Sequence, residues 1–99
     1  MRFTKNTLKN ILQEENERLC KNKSVELALS GAYGGWQIVL RSKYDNENKT
    51  YLNKYLMSGE TTITYGFLSS REAYYKYLEE LRVGNVAYII DRIENINNN

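Results

Sequence analysis

The glycine-rich run Gly31-Ala32-Tyr33-Gly34-Gly35 is the first place to look for chemistry. Such loops can bring backbone N–H groups close to a phosphate, because glycine lacks a Cβ and tolerates φ > 0. Phosphate loops need a strand before the glycines and a helix N-terminus after them, so that helix amides and dipole meet the anion. Here an alternating apolar run, Trp36, Ile38 and Leu40, follows instead, and no Lys-Ser or Lys-Thr closes the loop. The glycines therefore read as a hairpin turn, with Tyr33 exposed at its tip. The alternation turns Trp36 inward as core, and the competing reading makes it an aromatic anchor beside Tyr33.

No set of residues suited to acid–base, nucleophilic or metal chemistry stands out. The chain has no histidine, which removes the commonest general base and metal ligand. Carboxylates cluster at Glu14, Glu15 and Glu17 and at Glu79 and Glu80, but adjacent helix residues point apart, so these read as solvated helix faces. Glu15 differs, because it interrupts an apolar stripe. It is expected to salt-bridge a sheet residue such as Arg41 or to rim an interface. Cys20 falls near a helix C-terminus, where the dipole disfavours a thiolate, and reads as a small half-buried hydrophobe. The chain is therefore expected to be no enzyme and to need no cofactor or metal.

Binding is the remaining class. Arg41, Lys43, Tyr44, Lys49, Tyr51, Lys54 and Tyr55 mix basic and aromatic side chains, a combination that grips single-stranded nucleic acid. Asp45, Glu47 and Glu60 dilute that field, and a net charge of +2 argues against a polyanion partner. Tyrosine is abundant, at nine residues. It brings large contact area at low conformational cost, which suits a protein interface. Tyr33, Trp36, Tyr44, Tyr51, Tyr55 and Tyr75 form the candidate protein-interaction set. A homodimer through an open sheet edge is a further reading.

The elements that must position these residues follow from periodicity. Residues 4–20 predict a helix, with Leu8, Ile11, Leu12, Glu15 and Leu19 on one face and Thr4 or Thr7 as N-cap. Val25–Ser30 and Trp36–Ser42 alternate with period two and predict a hairpin. The Lys43–Lys49 run is a polar loop. Thr50–Met57 reads as extended, although Leu52, Tyr55 and Leu56 also fit helical spacing. Thr61–Phe67 predicts a strand with Ile63, Tyr65 and Phe67 on one face, and Gly66 marks a bulge or close backbone approach. Ser69 and Glu72 match a capping box for a helix whose stripe is Tyr74, Tyr77, Leu78 and Leu81, with Tyr75 off it beside Arg71 and Glu79. Gly84 interrupts, and Asn85 caps a last piece striped by Val86, Ile89, Ile90 and Ile93. The alternatives there are one kinked helix or a strand over Val86–Ile90. The tail at 96–99 is expected to fray.

These elements predict one α+β domain over residues 1–99. Its small antiparallel sheet has three to four strands, an N-terminal helix and C-terminal helices, in the order α-β-β-(β)-β-α-α, with the helices on one face. With 99 residues, 41% hydrophobic and 26% charged, the composition is that of an ordinary globular chain. A single cysteine permits no intrachain disulfide. Together with the polar N-terminus and the absence of a long apolar run, this predicts a cytoplasmic protein without leader or membrane span.

Residues 25–41, VELALSGAYGGWQIVLR, followed by a strand and then SSREAYYKYLEELRVG, resemble a family of small uncharacterised proteins encoded in bacteriophages and prophages of Firmicutes. The shared features are an L-x-G-A-Y-G-G-aromatic hairpin and a serine- or threonine-capped helix, and the match spans about half the chain. The resemblance implies a genomic setting more than a mechanism. It points to an accessory protein that binds and inhibits or modulates a host protein, such as a host-defence or replication enzyme, in the bacterial cytoplasm. Two other readings stand beside it: a single-stranded nucleic-acid binder using Arg41, Lys43, Lys49 and Lys54, and a small-molecule or nucleotide sponge at a dimer interface.

Overall fold

The computed structural model describes residues 2–43 and 60–97. Along the described chain run helix α1 (Lys5–Leu19), strands β1 (Val25–Ala32), β2 (Gly35–Ser42) and β3 (Glu60–Thr62), and helices α2 (Ser70–Arg82) and α3 (Asn85–Asn97). The three strands form one antiparallel sheet in the order β1-β2-β3. This is the α+β arrangement with an N-terminal helix that the periodicity predicts. The expected extended segment Thr50–Met57 lies outside the described residues, as do Tyr44, Lys49, Tyr51, Lys54 and Tyr55. Among the described residues no helix is long and apolar enough to cross a membrane.

The register explains why all three helices share one face. Leu27 opposes Leu40 and Leu29 opposes Ile38, so these four side chains point to the same side. Leu8 and Leu12 of α1, Ala73 and Tyr77 of α2, and Val86, Ile90 and Ile93 of α3 bury against that side in one core with Val25, Ile63 and Cys20. The opposite face carries Glu26, Ala28 and Ser30 with Gln37, Val39 and Arg41. On it, Val39 is fully buried between Ala28 and Thr62 in the register.

Helix ends are closed largely as the side chains dictate. Both candidate caps of α1 act together: Thr4 Oγ1 accepts from the Thr7 N–H, and Thr7 Oγ1 accepts from the Thr4 N–H. At the other end Lys43 Nζ donates to the carbonyls of Cys20 and Lys21, bringing a cation to the negative end of the helix. Ser69 caps α2 by accepting from the Glu72 N–H. Asn85 is the first residue of α3 and not its cap. Its side chain bonds Glu80 instead, and the Gly84 carbonyl accepts from the Tyr88 N–H. The α3 stripe is as predicted, with Val86, Ile90 and Ile93 buried and Ile89 partly so.

Two predictions are corrected. The strand expected over Thr61–Phe67 stops at Thr62. Both the Ile63 and Thr64 amides donate to the Ile38 carbonyl, at 2.8 and 3.2 Å, while the Ile38 amide donates to Thr64 Oγ1 at 2.9 Å. Two residues thus face one, as at a bulge, and consecutive residues Ile63 and Thr64 are both buried. Alternation is lost there, Tyr65 swings out to 71% exposure, and Gly66 takes φ +88°. The α2 stripe also rotates. Ala73 and Tyr77 are buried, Tyr74 and Leu81 are half-buried, and Leu78 faces largely outward. The face that α2 turns to the core thus centres on Ala73 and Tyr77.

Candidate interaction surface

The hairpin turn is tighter than the glycine spacing suggests. Ala32 pairs with Gly35, leaving Tyr33 and Gly34 as the only turn residues. Both have positive φ, +52° and +75°, the signature of a type I′ turn whose twist matches the strands it joins. The other two glycines serve space and not φ. A Cβ on Gly31 would lie 2.6 Å from the Trp36 ring, and one on Gly35 would lie 2.5 Å from the Phe67 backbone.

Tyr33 therefore occupies a conformation that suits glycine or asparagine, at a cost of roughly 1 kcal/mol for an ordinary L-residue. Its side chain is 94% exposed, and its ring meets the edge of Phe67 at 5.5 Å. Phe67 is held in place because Leu68 bridges to Trp36 through a pair of backbone hydrogen bonds of 2.7 and 3.1 Å. Trp36 is on the helix-side face, as alternation predicts, but it is only half-buried and lies outside the core. It packs over Gly31, with the Lys5 ammonium 4.5 Å from its ring centroid.

A second aromatic group sits at the start of α2. Phe3 stacks on Tyr74 at 5.6 Å with Arg71 above the Phe3 ring, and Tyr74 touches Tyr75 at 6.2 Å. Tyr75 is 57% exposed, as its off-stripe position predicts. Lys76 on the next position of α2 donates to the Tyr65 carbonyl. Sequence reasoning missed Phe3, Tyr65 and Phe67. The apparent alternation of Thr61–Phe67 assigned the last two to a strand face, and the bulge that releases them leaves only Gly66 as a trace in the sequence.

Of the four basic residues expected to grip nucleic acid, Arg41 and Lys43 lie among the described residues, and each has partners of its own. Arg41 projects from the face opposite the helices, 3.5 Å from Glu60, and reaches the Leu29 carbonyl at 3.4 Å. Lys43 is engaged at the end of α1. Tyr44, Tyr51, Tyr55, Lys49 and Lys54 lie outside the described residues. Cys20 is fully buried, and burial pushes its thiol up, opposed only in part by nearby Lys43. Among the described residues no three or more His, Cys, Asp or Glu side chains converge.

Glu15 does not bridge to Arg41. Its carboxylate accepts from Arg18 at 2.6 and 3.1 Å and from the buried Tyr77 hydroxyl at 2.6 Å, tying α1 to α2. Burial raises the acid, but the bonds from Arg18 and Tyr77 outweigh it and hold Glu15 below its ordinary value of 4.5. The Tyr77 hydroxyl is pushed far up by burial and by its bond to Glu15. Because the folded carboxyl is the stronger acid, its stabilisation is complete above about pH 4.5 and is lost as pH falls through the folded value. Glu15→Gln is expected to lose on the order of 1 kcal/mol at neutral pH. Urea denaturation at successive pH values should show parent and variant converging below about pH 4.5. A gap of constant width across that range sinks the assignment.

A scan against family models finds no match for this chain, and searches of curated proteins and solved structures find none either.

Proposed function

We propose that this chain is a non-enzymatic protein-binding domain that engages its partner with the Tyr33 hairpin tip. The observation that carries the reading is an exposed tyrosine held in a left-handed conformation that costs folding energy. Strained residues at a surface are a mark of function, because a turn selected for stability alone would place asparagine or glycine there. Tyr33 and Phe67 form an edge-to-face aromatic pair at the tip, and tyrosine anchors are enriched where binding energy concentrates. Tyr65 and Tyr75 are further exposed tyrosines, and Lys76 of α2 donates to the Tyr65 carbonyl. The L-x-G-A-Y-G-G-W hairpin supports a phage or prophage accessory role, occupying and inhibiting or modulating a host protein in the bacterial cytoplasm.

The test separates binding from folding. Tyr33→Asn creates an Asn-Gly type I′ turn, so it is expected to match or exceed the parent in stability by up to about 1 kcal/mol. Pull-downs from a Firmicute lysate with parent and variant, with and without nuclease, then decide the function. A stoichiometric protein that resists nuclease and is lost with Tyr33→Asn supports the reading. Partners lost with nuclease move the assignment to single-stranded nucleic acid. Capture unaffected by Tyr33→Asn removes the hairpin tip from the interface.

A further inference from the structure

A groove of about 340 Å³ runs along the outer margin of β1. One wall is a single face of α1, where Lys5, Lys9, Leu12 and Asn16 follow one another at spacings of four, three and four. The floor is the edge of β1 at Leu27–Leu29. Trp36 closes the end toward the hairpin tip, and Arg41 reaches around from the opposite face of the sheet.

Backbone parity shows what this edge offers. Asn16 uses its carboxamide as a neighbouring strand would: it accepts from the Leu27 N–H at 2.7 Å and donates to the Leu27 carbonyl at 3.0 Å. The polar groups of Leu27 therefore point away from β2. Residues two and four further on, Leu29 and Gly31, point their N–H and C=O groups the same way. Among the described residues no strand lies beyond β1 in the sheet. Among the described residues the Leu29 carbonyl accepts from the Arg41 guanidinium alone, at a long 3.4 Å. Asn16 thus ends the pairing at one point and leaves the next stretch of edge open to another chain.

The charges choose the partner. Lys5 and Lys9 stand on the α1 side and Arg41 on the other, against one lining carboxylate, Glu26, at the Asn16 end. The Arg41 Nε is buried with no acceptor among the described residues. A strand laid on this edge would point alternate side chains toward Leu12, Leu29 and Trp36. Carboxylates on it would meet Lys5 and Lys9, and those pointing the other way would meet Arg41.

We propose that this groove binds an extended, acidic segment of a partner protein, which adds to β1 as a further strand of the sheet. The inference deepens the protein-binding reading and rests on it. Trp36, which lines the groove and follows the turn, makes the edge continuous with the Tyr33 tip.

Trp36 is the only tryptophan in the chain, so its emission reports on the groove directly. The probes are an acetylated nine-residue peptide in which pairs of valines alternate with pairs of glutamates, so that each face of the strand carries both, its valine–lysine counterpart, and an acidic version with a central proline. At low salt the acidic peptide is expected to change Trp36 emission saturably, to shift the Leu29 and Gly31 amide resonances and to slow their hydrogen exchange. The lysine and proline peptides should do neither. Lys9→Glu, at an exposed position, should weaken the acidic peptide about tenfold, the scale of one lost charge pair. Equal binding of the lysine peptide, or unchanged Trp36 emission with the acidic one, overturns the proposal. So does a dimer on size exclusion that Lys9→Glu disperses while the peptide fails to bind, since the edge then belongs to a second copy. Tyr33→Asn should leave the peptide response intact. A lost response alongside Tyr33-dependent capture sinks the groove alone, and an intact response with no Tyr33-dependent capture sinks the hairpin-tip reading alone.

Discussion

Tyr77→Ala is expected to destabilise the protein by about 3–5 kcal/mol, the range for emptying a buried aromatic site. For a domain of this size that lowers Tm by about 15–30 °C and removes most of a typical stability margin. Tyr77 is the largest fully buried side chain among the described residues, and it lies where α1, α2 and the sheet meet. Its removal opens a cavity and also strips Glu15 of a donor, leaving a partly buried carboxylate held by Arg18 alone. Tyr77→Phe isolates the second effect: the ring still fills the core, only the hydroxyl is lost, and the cost should be about 1–2 kcal/mol. Thermal and urea denaturation of both variants check the pair. A Tyr77→Ala variant within 1 kcal/mol of the parent is incompatible with this packing.

Gly35→Ala is expected to cost about 3 kcal/mol, at the upper end for overpacking. A Cβ there would lie 2.5 Å from both the carbonyl carbon and oxygen of Phe67 and 2.8 Å from the Leu68 amide nitrogen. These are backbone atoms, so no rotamer change relieves the contact. The segment through Phe67 must move away, breaking the Trp36–Leu68 bridge and withdrawing the ring that supports Tyr33. Gly31→Ala is the informative contrast. Its Cβ meets the Trp36 ring at 2.6 Å, a side chain that can swing aside. That variant should cost about 1 kcal/mol and shift Trp36 emission toward an exposed indole. Urea denaturation followed by Trp36 fluorescence measures both. Equal costs for the two glycines would show that Phe67 is not held against β2.

The two glycines show how differently sequence and structure speak. Pattern alone placed α1, the hairpin strands, and α2 and α3, because each buries one face and leaves a period in its apolar residues, although the face α2 buries is centred on Ala73 and Tyr77 and excludes Leu78. Leu8 and Leu12 at helical spacing, Leu27 and Leu29 at strand spacing, and Thr4 and Ser69 at helix starts are local signals, legible without a fold. So was the exposure of Tyr33, since hairpin tips carry nothing above them. The tertiary structure alone decided the rest. Only the close approach of Phe67 makes Gly35 necessary, and only the ring of Trp36 makes Gly31 so. The bulge at Ile63–Thr64 depends on a single carbonyl of β2 accepting two amides, which no run of seven residues records. Glu15 looked like a flaw in an apolar stripe because its donor Tyr77 lies 62 residues away. The groove on β1 follows from Asn16 satisfying one edge residue and leaving the next open, a pairing of helix with strand margin that exists only once the chain has folded.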